Sequence, residues 1–97
     1  MRHAVTLEAL RVLDAIHSKG SFAAAADALF KVPSALTYTI SKLEADLGVA
    51  LFDRKGQRAI LTPAGKLVLN EGSEILRAAN DLEERVQQLE SGWESKL

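Results

Sequence analysis

The sequence predicts a mainly α fold: three short helices, a small β-hairpin and one long closing helix. Three observations carry this prediction. Leu36, Ile40, Leu43 and Leu47 recur at helical spacing behind Pro33. Two short runs, 51–54 and 58–61, flank Lys55-Gly56-Gln57, the pattern of a tight hairpin. From Pro63 to Ser91 only Gly65 and Gly72 weaken a continuous helical pattern.

Thr6 is placed to cap the first helix, in which Leu7, Leu10, Val12, Leu13 and Ile16 form a mostly apolar face. Gly20 ends it and Ser21 caps the second, a short alanine-rich helix over 22–29 whose small side chains suit a steep, close helix crossing. Phe30, Lys31 and Val32 make the turn into the third helix, 33–47, which Gly48 stops. Leu51, Phe52, Ile60 and Leu61 are the apolar residues available to anchor the hairpin on the helices. Thr62-Pro63 is a strong start for the last helix.

The bulk composition excludes several classes of protein. With 97 residues the chain fits one compact domain, or a small domain with one long extension. Hydrophobic content of 47% is too high for a disordered chain, and 5% aromatic content means a core of Leu, Ala, Val and Ile. No 18-residue apolar run is present, so no transmembrane helix is expected. Charge at Glu8 and Arg11 interrupts the N-terminal segment, which cannot serve as a signal-peptide core. The absence of cysteine excludes disulfides, Cys-type zinc sites and thiol chemistry, and a cytoplasmic protein is the simplest reading. His3 and His17 are too few and too far apart for a metal site, and His17 reads as a structural residue near the core. No Ser-His-Asp arrangement or glycine-rich phosphate loop has motif context, so neither catalysis nor a cofactor is expected.

The third helix carries the functional signal. Its face opposite the leucine stripe holds Ser34, Tyr38, Ser41, Lys42 and Ala45 and no carboxylate, with Glu44 and Asp46 directed to the sides. A helix that lies in a groove lined by phosphates needs such a face, and a short helix, a turn and a second helix is a common way to read the DNA major groove. Arg54, Lys55 and Arg58 concentrate positive charge on the hairpin. A basic hairpin after a helix-turn-helix is a wing, so residues 1–62 read as a winged helix-turn-helix domain. The net charge of −1 hides an asymmetry: residues 1–66 hold nine basic and six acidic residues, and residues 67–97 hold three basic and seven acidic. Because charges are screened over roughly 8 Å at physiological salt, the acidic end barely weakens the basic front.

Residue roles follow. Tyr38 is suited to a thymine methyl, a base edge or a phosphate, the alternative being a tyrosine packed on a neighbour. Ser34 and Thr37 lie near the helix N-terminus, where N–H groups favour anions; Ser34 has a second reading as a plain cap. Ser41 and Lys42 suit backbone contacts, which set register without reading sequence. Lys55 and Arg58 can reach the minor groove or its rim, and Lys31 a phosphate, the alternative for Lys31 being an exposed lysine that is only solvated. Arg54 has two readings, the same contact or a salt bridge to Asp27 or Asp53. A protein-binding adaptor is the competing function, against which the basic wing argues.

The long helix, residues 63–91, spans roughly 43 Å at 1.5 Å per residue, more than one small domain can cover. Val68, Gly72, Ile75, Ala79, Leu82, Val86, Leu89 and Trp93 alternate at four and three, the seam of a coiled coil. Leu67, Leu69 and Leu76 lie beside the seam, positioned to pack back on the first three helices. Full burial of Ile75, Leu82, Val86 and Leu89 is worth about 6–12 kcal/mol per chain as an upper bound. A homodimer through Ile75, Ala79, Leu82, Val86 and Leu89 is expected, with residues 92–97 starting a hinge.

These motifs, in this order, resemble the N-terminal DNA-binding domain of LysR-type transcriptional regulators. The resemblance rests on Gly20-Ser21-Phe22 and the alanines through Ala26, Leu29, Ser34 to Thr37, Ile40, Leu43-Glu44, Leu47-Gly48, Leu51-Phe52, Arg54, Arg58 and Leu61 to Gly65. It implies a winged helix-turn-helix with a dimerising linker helix that pairs antiparallel. It also implies a C-terminal domain, outside this sequence, that binds a small-molecule effector. The implied partner is double-stranded DNA carrying an interrupted palindrome, bound by dimers usually paired into tetramers. Tyr38 stands where the family often has arginine, so the base preference of those members does not carry over.

Overall fold

The computed structural model describes residues 3–56 and 58–95, with the side chains of Lys55 and of residues 91–95 outside that description. Thr6 Oγ1 accepts the Ala9 N–H at 3.0 Å and opens α1 (Leu7–Lys19). Gly20, at φ 89°, closes it, its N–H donating to the Ile16 carbonyl at 2.9 Å. Ser21 Oγ accepts the Ala24 N–H at 3.1 Å and opens α2 (Phe22–Ala28). After the turn comes α3 (Pro33–Leu47), ended by Gly48 at φ 75°. The hairpin consists of β1 (Phe52–Lys55), one residue later than the sequence predicts, and β2 (Arg58–Leu61). The strands pair antiparallel with Phe52 opposite Leu61 and Arg54 opposite Ala59. The Ala59 N–H donates to the Gly20 carbonyl at 3.1 Å, tying the hairpin to the α1–α2 turn. Thr62 then acts twice, accepting the Gly65 N–H at 3.0 Å and donating to the Ala50 carbonyl at 2.7 Å. From it runs α4 (Pro63–Ser95), 33 residues and about 50 Å at helical rise. The expected end at Ser91 is passed without a break.

The core joins the first three helices and the root of the hairpin: Val12, Leu13, Ile16, Ala25, Ala26, Leu36, Ile40, Leu43, Leu51, Phe52 and Leu61 are buried. Ala25 and Ala26 are among the most deeply buried, as close crossing of α2 requires. Some expectations need correction. Leu47, the last residue of α3, is 39% exposed, and Ile60 is 48% exposed because strand alternation turns it away from the core side that Leu61 occupies. His17 is exposed on α1, not part of the core.

On α4, Gly72 does not face a partner's seam. It is buried against α1, where an added Cβ would stand 2.7 Å from Leu10 Cδ2. Val68 and Leu69 pack on the same core, whereas Leu67 stays exposed. The domain therefore takes the first turns of the helix, and the free stripe begins at Ile75.

The turn before α3 contains an outlier. Phe30 takes φ 58°, a left-handed conformation that costs a non-glycine residue about 1–2 kcal/mol. Its side chain is 95% exposed, so no burial offsets that cost.

Candidate nucleic-acid interface

The third helix buries Leu36, Ile40 and Leu43 and turns Ser34, Tyr38, Ser41, Lys42 and Ala45 to solvent. Tyr38 is 68% exposed, which excludes the packed alternative. The α3 N-terminus is capped at Val32 without a side-chain hydrogen bond, so Ser34 is not a cap and stands free on the surface. Thr37 is half-buried and lines an open cleft with Ser21, Phe22, Pro33, Arg54 and Arg58. The fold thus brings Thr37 of α3 together with two arginines of the hairpin. Lys55 lies in β1 with its side chain outside the described residues.

Lys42 belongs elsewhere, in a hollow with His3, Ala4, Thr6 and Asp46. Its ammonium lies 3.2 Å from Asp46 Oδ2, an exposed i,i+4 pair. The α3 face is therefore not free of carboxylates: one helical turn brings Asp46 beside Lys42. Such a pair contributes little to stability, so it leaves the lysine available to a stronger anion. Lys31 is also not simply solvated, lying 4.0 Å from Glu8 of α1.

Two residues at this surface lie in the motifs that carry the resemblance, but their roles were not legible in the sequence. Glu44 is half-buried, and its Oε2 accepts the N–H groups of Leu51 at 2.7 Å and Phe52 at 3.3 Å. It fixes the hairpin's root to the end of α3, holding wing and helix in register. Glu44→Ala should cost about 1.5–3 kcal/mol, read as a lower urea midpoint, because a charge-assisted acceptor is lost from two donors. Phe22 is the second. Arg54 forms neither of its expected salt bridges among the described residues, and its guanidinium carbon lies 3.9 Å above the Phe22 ring centre.

A winged helix-turn-helix with a polar outward α3 and arginines on the wing defines a nucleic-acid-facing class of protein. Residues 7–66 match the family described as "Bacterial regulatory helix-turn-helix protein, lysR family". The probable HTH-type transcriptional regulator YhaJ of Escherichia coli K12 is 54% identical over 94 residues, covering 97% of this chain and 32% of that protein. Among solved structures, a CbnR DNA-binding domain–DNA complex superposes with a TM-score of 0.82 at 32% identity, covering 88% of this chain and 98% of that one. The BenM DNA-binding domain on its catB site 1 DNA gives 0.85 at 27% identity, covering 91% and 95%. The chain belongs to the lysR family of bacterial regulatory helix-turn-helix proteins. It spans about a third of the length of the curated relatives it matches.

Among the described residues, no helix is long and apolar enough to cross a membrane, and no cluster of His, Asp and Glu could hold a metal ion.

Proposed function

We propose that the chain is the DNA-reading and pairing unit of a transcription regulator. Residues 1–62 form the winged domain, 63–91 the linker, and 92–97 lead toward an effector-binding domain. The recognition helix 33–47 enters the major groove, and the wing 51–61 meets the backbone or minor groove. A homodimer sets two such helices on an interrupted palindrome. The supporting observation is the outward surface of α3: Ser34, Tyr38 and Ser41 stand exposed while Leu36, Ile40 and Leu43 are hidden, beside a cleft holding Arg54 and Arg58. The DNA in the CbnR and BenM structures supports the same reading. Pairing rests on Ile75, Leu82, Val86 and Leu89, all 46–63% exposed, with Ala79 between them. On this reading the protein is non-catalytic and works in the cytoplasm, where bacterial DNA lies.

Gel-shift titration on duplexes selected from random sequence tests the assignment. Tyr38→Ala should weaken the selected site by about 1–3 kcal/mol and relax base choice, and Lys42→Ala should weaken all duplexes alike and lower the salt slope by about one. No change in either variant would remove these roles. Binding that ignores salt would favour the adaptor reading.

A further inference from the structure

The Phe22–Arg54 stack is a built arrangement. Phe52 and Arg54 are two apart on β1, so both project to the same side of the strand and Asp53 to the other. The Phe22 ring meets Phe52 edge-on, with centres 5.7 Å apart and planes at 68°, and Arg54 lies over it at 3.9 Å. Phe52 is buried, Phe22 packs half-buried against the core, and Arg54 is exposed. The arginine thus rests on a ring that is itself fixed to the domain. A guanidinium lying flat on an aromatic face keeps its N–H donors, which lie in its plane, free for other partners. Arg54 lines the same cleft as Thr37 and Arg58.

We infer that Phe22 is a positioning residue for phosphate binding: its ring holds the Arg54 guanidinium away from Asp53 and Asp27 and presents the N–H edge to a phosphodiester of the DNA backbone. This rests on the DNA-binding reading above. The planar fork matches two phosphate oxygens, and Arg58 adds a second charge at the same cleft. Holding the side chain in place beforehand reduces the rotamer freedom lost on binding. The ligand is the sugar–phosphate chain, so the contribution is independent of base sequence.

Fluorescence anisotropy with a labelled mixed-sequence duplex, over a range of salt, tests this with the full chain. Phe22→Leu should bind about 3- to 10-fold more weakly, and Phe22→Tyr, which keeps the aromatic face, should bind as the parent does. Arg54→Ala should reduce the salt slope by about one, and adding Phe22→Leu to it should cost nothing more. Arg54→Lys, an exposed change that keeps the charge but cannot lie flat, should lose nearly as much as Arg54→Ala. Equal loss from Phe22→Leu with and without Arg54, or parental binding by Arg54→Lys, overturns the inference while leaving DNA binding intact. Failure of the parent chain to bind any duplex would instead remove the DNA-binding reading and this inference with it.

Discussion

Leu82→Asp with Val86→Asp is expected to turn the chain from dimer to monomer in sedimentation and to weaken binding to a two-half-site operator far more than to a single half-site. Both residues lie on the part of α4 that the domain leaves uncovered, with Leu82 63% and Val86 52% exposed. Together with Ile75 and Leu89 they leave about half of four large side chains to be covered by a partner. At the usual transfer values this is about 3–6 kcal/mol per protomer before the cost of association. Two carboxylates in that seam would remove the apolar contact and leave desolvated charge facing its copy. A double variant that still sediments as a dimer would place the pairing surface elsewhere. Gly72 and Val68 are not candidates for it, since α1 and the core already occupy them.

Gly65→Ala is expected to be severely destabilising, although the same change in most helices is favourable. Gly65 is buried in the first turn of α4, and a Cβ there would fall on the Leu51 carbonyl and lie 2.9 Å from Leu61 Cδ2. That carbonyl is fixed by the Thr62 N–H at 3.0 Å, within the junction that seats the hairpin on the helices. Backbone cannot yield as a side chain can, so the junction must open. A loss of about 2–4 kcal/mol is expected, lowering Tm by about 10–25 °C in calorimetry. Gly72→Ala provides the contrast. Its Cβ meets only the movable tip of Leu10, and the gain in helix propensity of about 1 kcal/mol offsets the adjustment. Similar melting of the two variants would refute the close-approach account of Gly65.

What the sequence made legible was local. Thr6, Gly20, Ser21, Gly48 and Thr62-Pro63 mark helix ends because capping acts over three or four residues, and the structure uses each as expected. The hidden stripe of α3 follows from the helical period alone. Interactions that depend on how elements meet were not legible. Glu44 reaches across to Leu51 and Phe52, and no local pattern separates it from an ordinary surface glutamate. Arg54 had two candidate carboxylate partners in the sequence, the adjacent Asp53 and the distant Asp27, but the aromatic ring of Phe22 is the partner the fold supplies. The free stripe on α4 begins about two turns later than Val68, where the sequence pattern starts it, because the face that packs on the domain and the face left free adjoin on one helix. Asp46 is the reverse case: its spacing from Lys42 already implied the pair.

Every described side chain from Asp81 to Glu90 is exposed, so this domain holds none of the far half of α4. A helix of that length has little persistence in water without company. If the chain pairs as proposed, forming its outer turns and meeting a second copy are coupled equilibria, and its helicity and melting point are expected to depend on how concentrated it is.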